Sequence, residues 1–208
     1  MALVTDTDQR RIAEAIGRAE AGTTGEIVAV IAAESGSYLH VPFLWASIVA
    51  LAVPLPLIFW TWWPIQTIYA LQLMSFLMLA TVLMQRPLRY RMAPWAMKQA
   101  RAHKRALEQF MAQNLHTTEN HTGVLIFVSV AERYAEIIAD KGIHERVADG
   151  TWDRIVADLT AAIGDGRAGD GLVQAITEVG THLAEHFPPG TRREKGLPNH
   201  LILLPGAA

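Results

Sequence analysis

From Ser35 to Gln85 the chain holds no Asp, Glu, Lys or Arg, a run of 51 residues in a chain of 208. Two apolar segments fit inside it, Val41 to Trp60 and Pro64 to Met84. Each is about 20 residues, or about 30 Å as a helix, which matches the hydrocarbon core of a bilayer. A buried core helix would be shorter, and a secretory signal would stand at the N-terminus behind basic residues. The two segments are read as a transmembrane helical hairpin. They follow EIVAVIA (26–32), an apolar, β-branched run of strand length. A strand that leads into lipid finds no sheet partner there, so its partners must lie on the far side of the hairpin.

The charges flank the apolar run unevenly. Residues 1–34 carry three Arg and six acidic side chains, residues 86–115 carry seven Lys or Arg and one Glu, and residues 116–208 carry eight basic and thirteen acidic side chains. Basic residues near span ends stay on the cytoplasmic side. Arg86, Arg89 and Arg91 follow the second span, whereas the turn at Thr61–Trp63 is uncharged. Both termini are thus expected in the cytoplasm, against a bacterial inner membrane. Trp60, Trp62 and Trp63 are expected at the outer headgroups and Trp95 at the inner interface. Pro54 and Pro56 each remove a backbone donor, so the first span is expected to kink or end early. Basic residues directly after a span suit anionic lipid, and nucleic acid is not expected as a partner.

The flanking sequences supply the missing partners. TDTDQRRIAEAIGRAE (5–20) predicts a helix, with Thr5 and Asp8 at capping-box spacing and Ile12, Ile16 and Ala19 on one face. Residues 95–114 predict another, with Leu107, Phe110 and Met111 facing a core. GVLIFVSV (123–130) is nearly continuous in apolar residues, as in a central strand covered on both sides. RYAEIIA (133–139) follows a short turn at Ala131 and Glu132, so a β-hairpin is expected. Two amphipathic helices come next. Trp152, Ile155, Leu159 and Ile163 share one face, and Leu172, Ile176, Val179 and Leu183 share another. The tail LPNHLILLP is expected as an edge strand or as cover over the core. The strand at 26–32 would pair with 123–139 across the hairpin. Loop-closure cost grows slowly with insert length, and about 35 residues cannot bury a core alone. The fold class is therefore α/β, a small mixed sheet sandwiched between helices and interrupted by the hairpin. The domain's first part is 1–36, the hairpin 37–88, a basic juxtamembrane helix 89–115, and the rest of the domain 116–208.

The ordered set TTGEIVAVI, GVLIFVSVAERYAEIIADKGI and TWDRIVADLTAAIGDGRAGDGLVQAITEVGTHLAEHFP resembles the TPM domain family, and KGLPNHLILL resembles the ending of its bacterial membrane-anchored members. The resemblance implies a helix-covered sheet and a role in assembly, repair or modulation of membrane complexes. It also implies LemA-type proteins or photosynthetic or respiratory complexes as partners. Some relatives have phosphatase activity or bind calcium.

Acidic side chains gather where strands and helices meet. Asp140, Asp149, Asp165 and Asp170 are candidate ligands for a divalent cation such as calcium, since hard cations take several carboxylate and carbonyl oxygens. The spacing lacks the EF-hand series. The alternative use is helix capping, by Asp149 or Thr151 and by Asp170. His116 and His121 with Glu119 would suit zinc, His144 stands near Asp140 as a possible acid or base, and the glycines at 164–171 precede a helix where an anion could bind. There is no cysteine, no P-loop, no dinucleotide fingerprint and no G-x-S-x-G around Ser129, so no nucleophile or nucleotide site is expected. The spans carry no ionisable Asp, Glu, Lys or Arg for a transport path. The leading expectation is a membrane-anchored interaction module that presents a cytoplasmic α/β domain to another membrane protein, alongside membrane lipid. The alternative is a metal-dependent phosphatase using the Asp cluster.

Overall fold

The computed structural model describes residues 4–118, 121–148, 150–189 and 201–204. The chain forms two compact units. The first joins Met1–Ser35 to Gln99–Ala208, and the second is Gly36–Lys98.

The first unit is built on four strands, β1 (Glu26–Ala32), β2 (Gly123–Ser129), β3 (Tyr134–Ala139) and β4 (Leu201–Leu204). Their order across the sheet is β3-β2-β1-β4. β1 and β2 run parallel, with Glu26 opposite Gly123 and Ala32 opposite Ser129. The segment before the apolar run therefore finds its partner after it, as the sequence requires. β4 adds parallel to β1 at the edge, with Ala29 opposite Leu201. β3 returns antiparallel from β2. The turn between them holds four residues, Val130–Arg133, not the expected two, and Arg133 adopts a left-handed φ of 52°. Val130 and Ala131 donate to Ala32 and Ala33 carbonyls, so they extend the β1–β2 pairing and push the reversal outward.

Helices cover both faces, which is why every residue of β1 and β2 is buried. On one face α1 (Asp6–Ala21), α8 (Thr151–Gly164) and α9 (Ala168–His186) pack Ile12, Ile16, Ile155, Leu159, Leu172, Ile176, Val179 and Leu183 against Ile27, Ile31, Val124 and Ile126. α1 begins with the expected capping box of Thr5 and Asp8. On the other face α6 (Trp95–Ala112) lays Ala102, Ala106 and Phe110 on Val28, Val30, Leu125 and Phe127. Leu107 and Met111 face outward, contrary to expectation. The alanines set the buried stripe of α6 one position away from the larger side chains, because a small residue lets the helix lie close to the sheet. A 3-10 turn, Leu115–Thr117, follows α6 and buries Leu115.

The second unit contains α2 (His40–Ala52), α3 (Pro54–Trp60), α4 (Ile65–Leu83) and α5 (Arg86–Met92). The helix is interrupted for one residue at Val53, before Pro54, where Pro54 and Pro56 bring no N–H to the helix ladder, although Val53 keeps helical dihedrals (φ −55°, ψ −43°). α2 packs on α4 through small residues, with Ala46, Ala50, Ile68 and Ala80 buried. Tyr38, Val41 and Ala93 form a further small cluster, with the Tyr38 and Tyr90 rings edge to face at 5.4 Å. Most large apolar side chains of these helices point outward, including Leu51, Ile58, Phe59, Met74 and Met78. His40–Trp60 and Ile65–Leu83 are long and apolar enough to cross a membrane, with mean hydropathies of 2.1 and 1.6.

Candidate functional site

The β2–β3 hairpin stands where the chain leaves the first unit and where it returns, and two carboxylates on it hold those two strands of traffic. Glu132 lies in the turn and is 2% exposed. It accepts the Ser35 backbone N–H on both carboxylate oxygens at 3.1 Å and the Ser129 hydroxyl through a short hydrogen bond. The Ser35 and Ser129 hydroxyls lie 2.6 Å apart. Ser35 is the last residue of the first unit before the chain enters the second, so Glu132 fixes the exit of β1. Ser129 earns this position by sequence: as the last residue of β2 it sits opposite Ala32, beside the chain as it departs.

The second clasp is on β3. Glu136 meets the His103 Nδ1 at 2.8 Å and receives the Tyr134 hydroxyl at 3.0 Å. Tyr134 and Glu136 are two apart on a strand and so share a face, the face on which α6 lies. Partial burial, with the Glu136 charge beside it, pushes the Tyr134 phenol above its ordinary range. Tyr134 therefore stays a neutral donor. His103 belongs to α6, the helix that brings the chain back, so this contact fixes the return. Neither clasp was read from the sequence. The period-two spacing of Tyr134 and Glu136 was visible, but His103, 33 residues before Glu136, had no signal to join it to them.

The chemistry of these clasps is restraint. Ser129 is 1% exposed and its hydroxyl is committed to Glu132, so it offers no approach to a substrate. No group of three or more His, Asp or Glu suited to hold a metal ion occurs among the described residues. Asp140 caps the short helix α7 (Lys141–His144), accepting the Lys141 N–H at 2.7 Å, and meets His121 Nδ1 at 3.0 Å. Asp165 ends α8 and pairs with Arg167 at 2.9 Å. Asp170, in the first turn of α9, pairs with Arg11 of α1 at 2.7 Å, and that contact raises the Arg11 guanidinium above its ordinary value. Asp149 and Glu119 lie outside the described residues. The expected caps differ: Gly150 is the N-cap of α8, with Thr151 already inside the helix, and Arg167 precedes α9. His144 is exposed, with its backbone N–H on the Asp140 carbonyl.

Gly169 and Gly171, within α9, serve packing. A Cβ on Gly169 would stand 2.5 Å from an Asp8 carboxylate oxygen, and one on Gly171 2.7 Å from the Ala162 Cβ. A carboxylate already lies against this helix start, which is a poor setting for an anion. Elsewhere, an open cavity of about 440 Å³ is lined by Thr24, Gly142, Glu145, Arg146, His186 and Phe187. Its cation is in use, since Arg146 lies 4.8 Å over the Phe187 ring and donates to the His186 carbonyl.

Of the expected interface residues, Trp60, Trp62, Trp63 and Trp95 are exposed, as is Arg91. Arg89 is 8% exposed, with its guanidinium 5.1 Å from the Tyr90 ring centre, so it is held by the second unit itself. The Arg86 side chain lies outside what is described.

The family model of the TPM domain matches residues 92–182, and the resemblance expected from the sequence is shown by that match. The match starts after the apolar run. The sheet supplies what precedes it, through the parallel pairing of β1 with β2. Among solved structures, the NMR structure of the BA42 protein from the psychrophilic bacterium Bizionia argentinensis is similar in fold, with a TM-score of 0.60 at 21% identity, over 96% of this chain and 94% of that one. Comparison with curated proteins gives no match.

Proposed function

From a chain that carries a TPM domain, we propose a membrane-anchored interaction and assembly module, which holds its α/β unit on the cytoplasmic face and presents it to another membrane protein. One observation carries the reading. Inside a run without a charged side chain, two helices of spanning length turn their large apolar residues outward, and only 22% and 11% of their most apolar windows are buried. In water such a surface is unfavourable, at about 25 cal/mol per Å²; in a bilayer it is the expected one. The basic residues after the second helix favour cytoplasmic termini. The Glu132 and His103–Glu136 clasps support the reading: they hold Ser35 and α6 to the folded unit at the points where its chain leaves and returns.

The absence of cysteine makes the test direct. Thr61→Cys and Glu185→Cys variants are labelled on intact cells and, separately, after lysis with a membrane-impermeant maleimide, and the membranes are then washed with alkaline carbonate. The protein is expected to resist the wash, with the cysteine at 61 labelled from outside and that at 185 only after lysis. Release by carbonate would end the anchoring reading, and the reverse labelling would end the orientation. Crosslinking in native membranes then tests assembly, and a chain found alone in every preparation would remove that part.

A further inference from the structure

Within the second unit, a groove of about 360 Å³ runs between α2 and α4, lined by Ser47, Ala50 and Leu51 on one side and Tyr69, Gln72 and Phe76 on the other. Its polar groups differ in one respect. The Ser47 hydroxyl donates to the Phe43 carbonyl at 2.8 Å, and Thr81, further along α4, donates to the Leu77 carbonyl at 2.8 Å. Each is satisfied by its own helix. Gln72 carries two donors and an acceptor and has no hydrogen-bond partner among the described residues, nor has the Tyr69 hydroxyl three residues before it. Gln72 stands about 10 Å into α4, at 1.5 Å per residue from Ile65, too deep for its short side chain to reach either end.

We propose that this groove is the contact surface for a second copy of this chain, paired through Gln72 within the membrane. The inference rests on the anchoring reading above. A lipid tail offers an amide nothing, and water is scarce at that depth. The groove has no charge to match a charged partner. A carboxamide, however, is its own complement. Two copies related by a two-fold axis bring donor to acceptor and acceptor to donor at once, and such a closed, isologous contact is the commonest form of association. Tyr69, on the same flank, supplies a further donor to the partner's amide. Ser47 of α2, small and only half-buried, lets a neighbouring helix approach closely, as helix contacts in membranes require.

The experiment uses the full chain in membranes. With no native cysteine, Leu73→Cys places a single thiol beside Gln72, and Met78→Cys places one about 140° round the helix from it. Oxidation is expected to give a disulfide-linked dimer with L73C and none with M78C. Adding Gln72→Leu to L73C should lower the crosslinked fraction, with dimerisation weakened about three- to thirty-fold, whereas Gln72→Asn should retain it. Undiminished crosslinking in the Leu variant would overturn the proposal. So would L73C protein that resists carbonate yet stays monomeric, or that crosslinks only to a different protein; both leave the anchor standing. Release into the carbonate wash would overturn the anchor, and the proposal with it.

Discussion

The two units treat the same residue type in opposite ways. Phe127, in β2, is 0% exposed between the sheet and α6, whereas Phe59, in α3, is 81% exposed. The first unit hides its apolar side chains and lets glycines bring helices together, as Gly180 does against Ala19. The second hides alanines and turns phenylalanine, leucine and methionine outward. Each is a consistent answer to a solvent, but not to the same solvent. The difference teaches that hydrophobic content, 51% for the whole chain, says little until one asks which face carries it.

The largest effect separates the units most sharply. Phe127→Ala is expected to cost the first unit about 3–5 kcal/mol, as for other buried aromatics, since it empties a site closed on both sides. Phe59→Ala is expected to leave the unfolding of that unit within about 0.5 kcal/mol. Denaturant unfolding of the full chain in detergent micelles, followed through the α/β unit, measures both. Comparable losses would mean that Phe59 is part of the same core, and the comparison would fail.

The next effect concerns the polar seam. Glu132→Ala removes a buried acceptor and leaves the Ser35 N–H and the Ser129 hydroxyl to find others. The expected cost is about 1–3 kcal/mol, the usual penalty for orphaned buried donors. Glu132→Gln keeps one carbonyl oxygen and should cost less. The sharper readout is amide exchange. The Ser35 N–H should lose protection in the Ala variant while the N–H groups of Val28 and Val30, within β1, keep theirs. If protection falls equally along β1, the seam is simply part of the sheet and not a fastening at its margin.

How much of this was legible depends on the range over which each signal acts. The capping box at Thr5 and Asp8 was readable because its partners are three residues apart. The central place of β1 and β2 was readable because burial on both faces leaves an unbroken apolar run. The pairing across the apolar run followed by elimination, since a lone strand and helix cannot bury a core, whereas its parallel direction did not. The clasps were not legible: Ser35 and Glu132 are 97 residues apart, and nothing in either neighbourhood names the other. The spacing of Leu107, Phe110 and Met111 points them to one face, but Ala102 and Ala106 set the buried face of α6, which keeps only Phe110 of the three. The acidic residues are the instructive case. Of the three described, Asp140 stands at a strand–helix junction while Asp165 and Asp170 lie where α8 gives way to α9, and each has a nearer engagement: a helix start for Asp140, Arg167 for Asp165 and Arg11 for Asp170.

The smallest effect tests that last point. Asp170→Asn breaks a pair whose side chains are about half exposed, 49% for Arg11 and 53% for Asp170. Water and salt screen such a pair, so the loss should stay below about 1 kcal/mol. A small loss alone does not separate an ion pair from a vacant cation site. Calcium does, because a ligand that binds the folded state raises its stability with concentration. The melting temperature is expected to respond to calcium equally in the parent chain and in D170N. A calcium-dependent rise present in the parent and absent in D170N would instead place a cation beside α9. It would move the Arg11 contact from structural pairing to a stand-in for the ion, and reopen the metal-dependent chemistry that the first unit otherwise gives no cause to invoke.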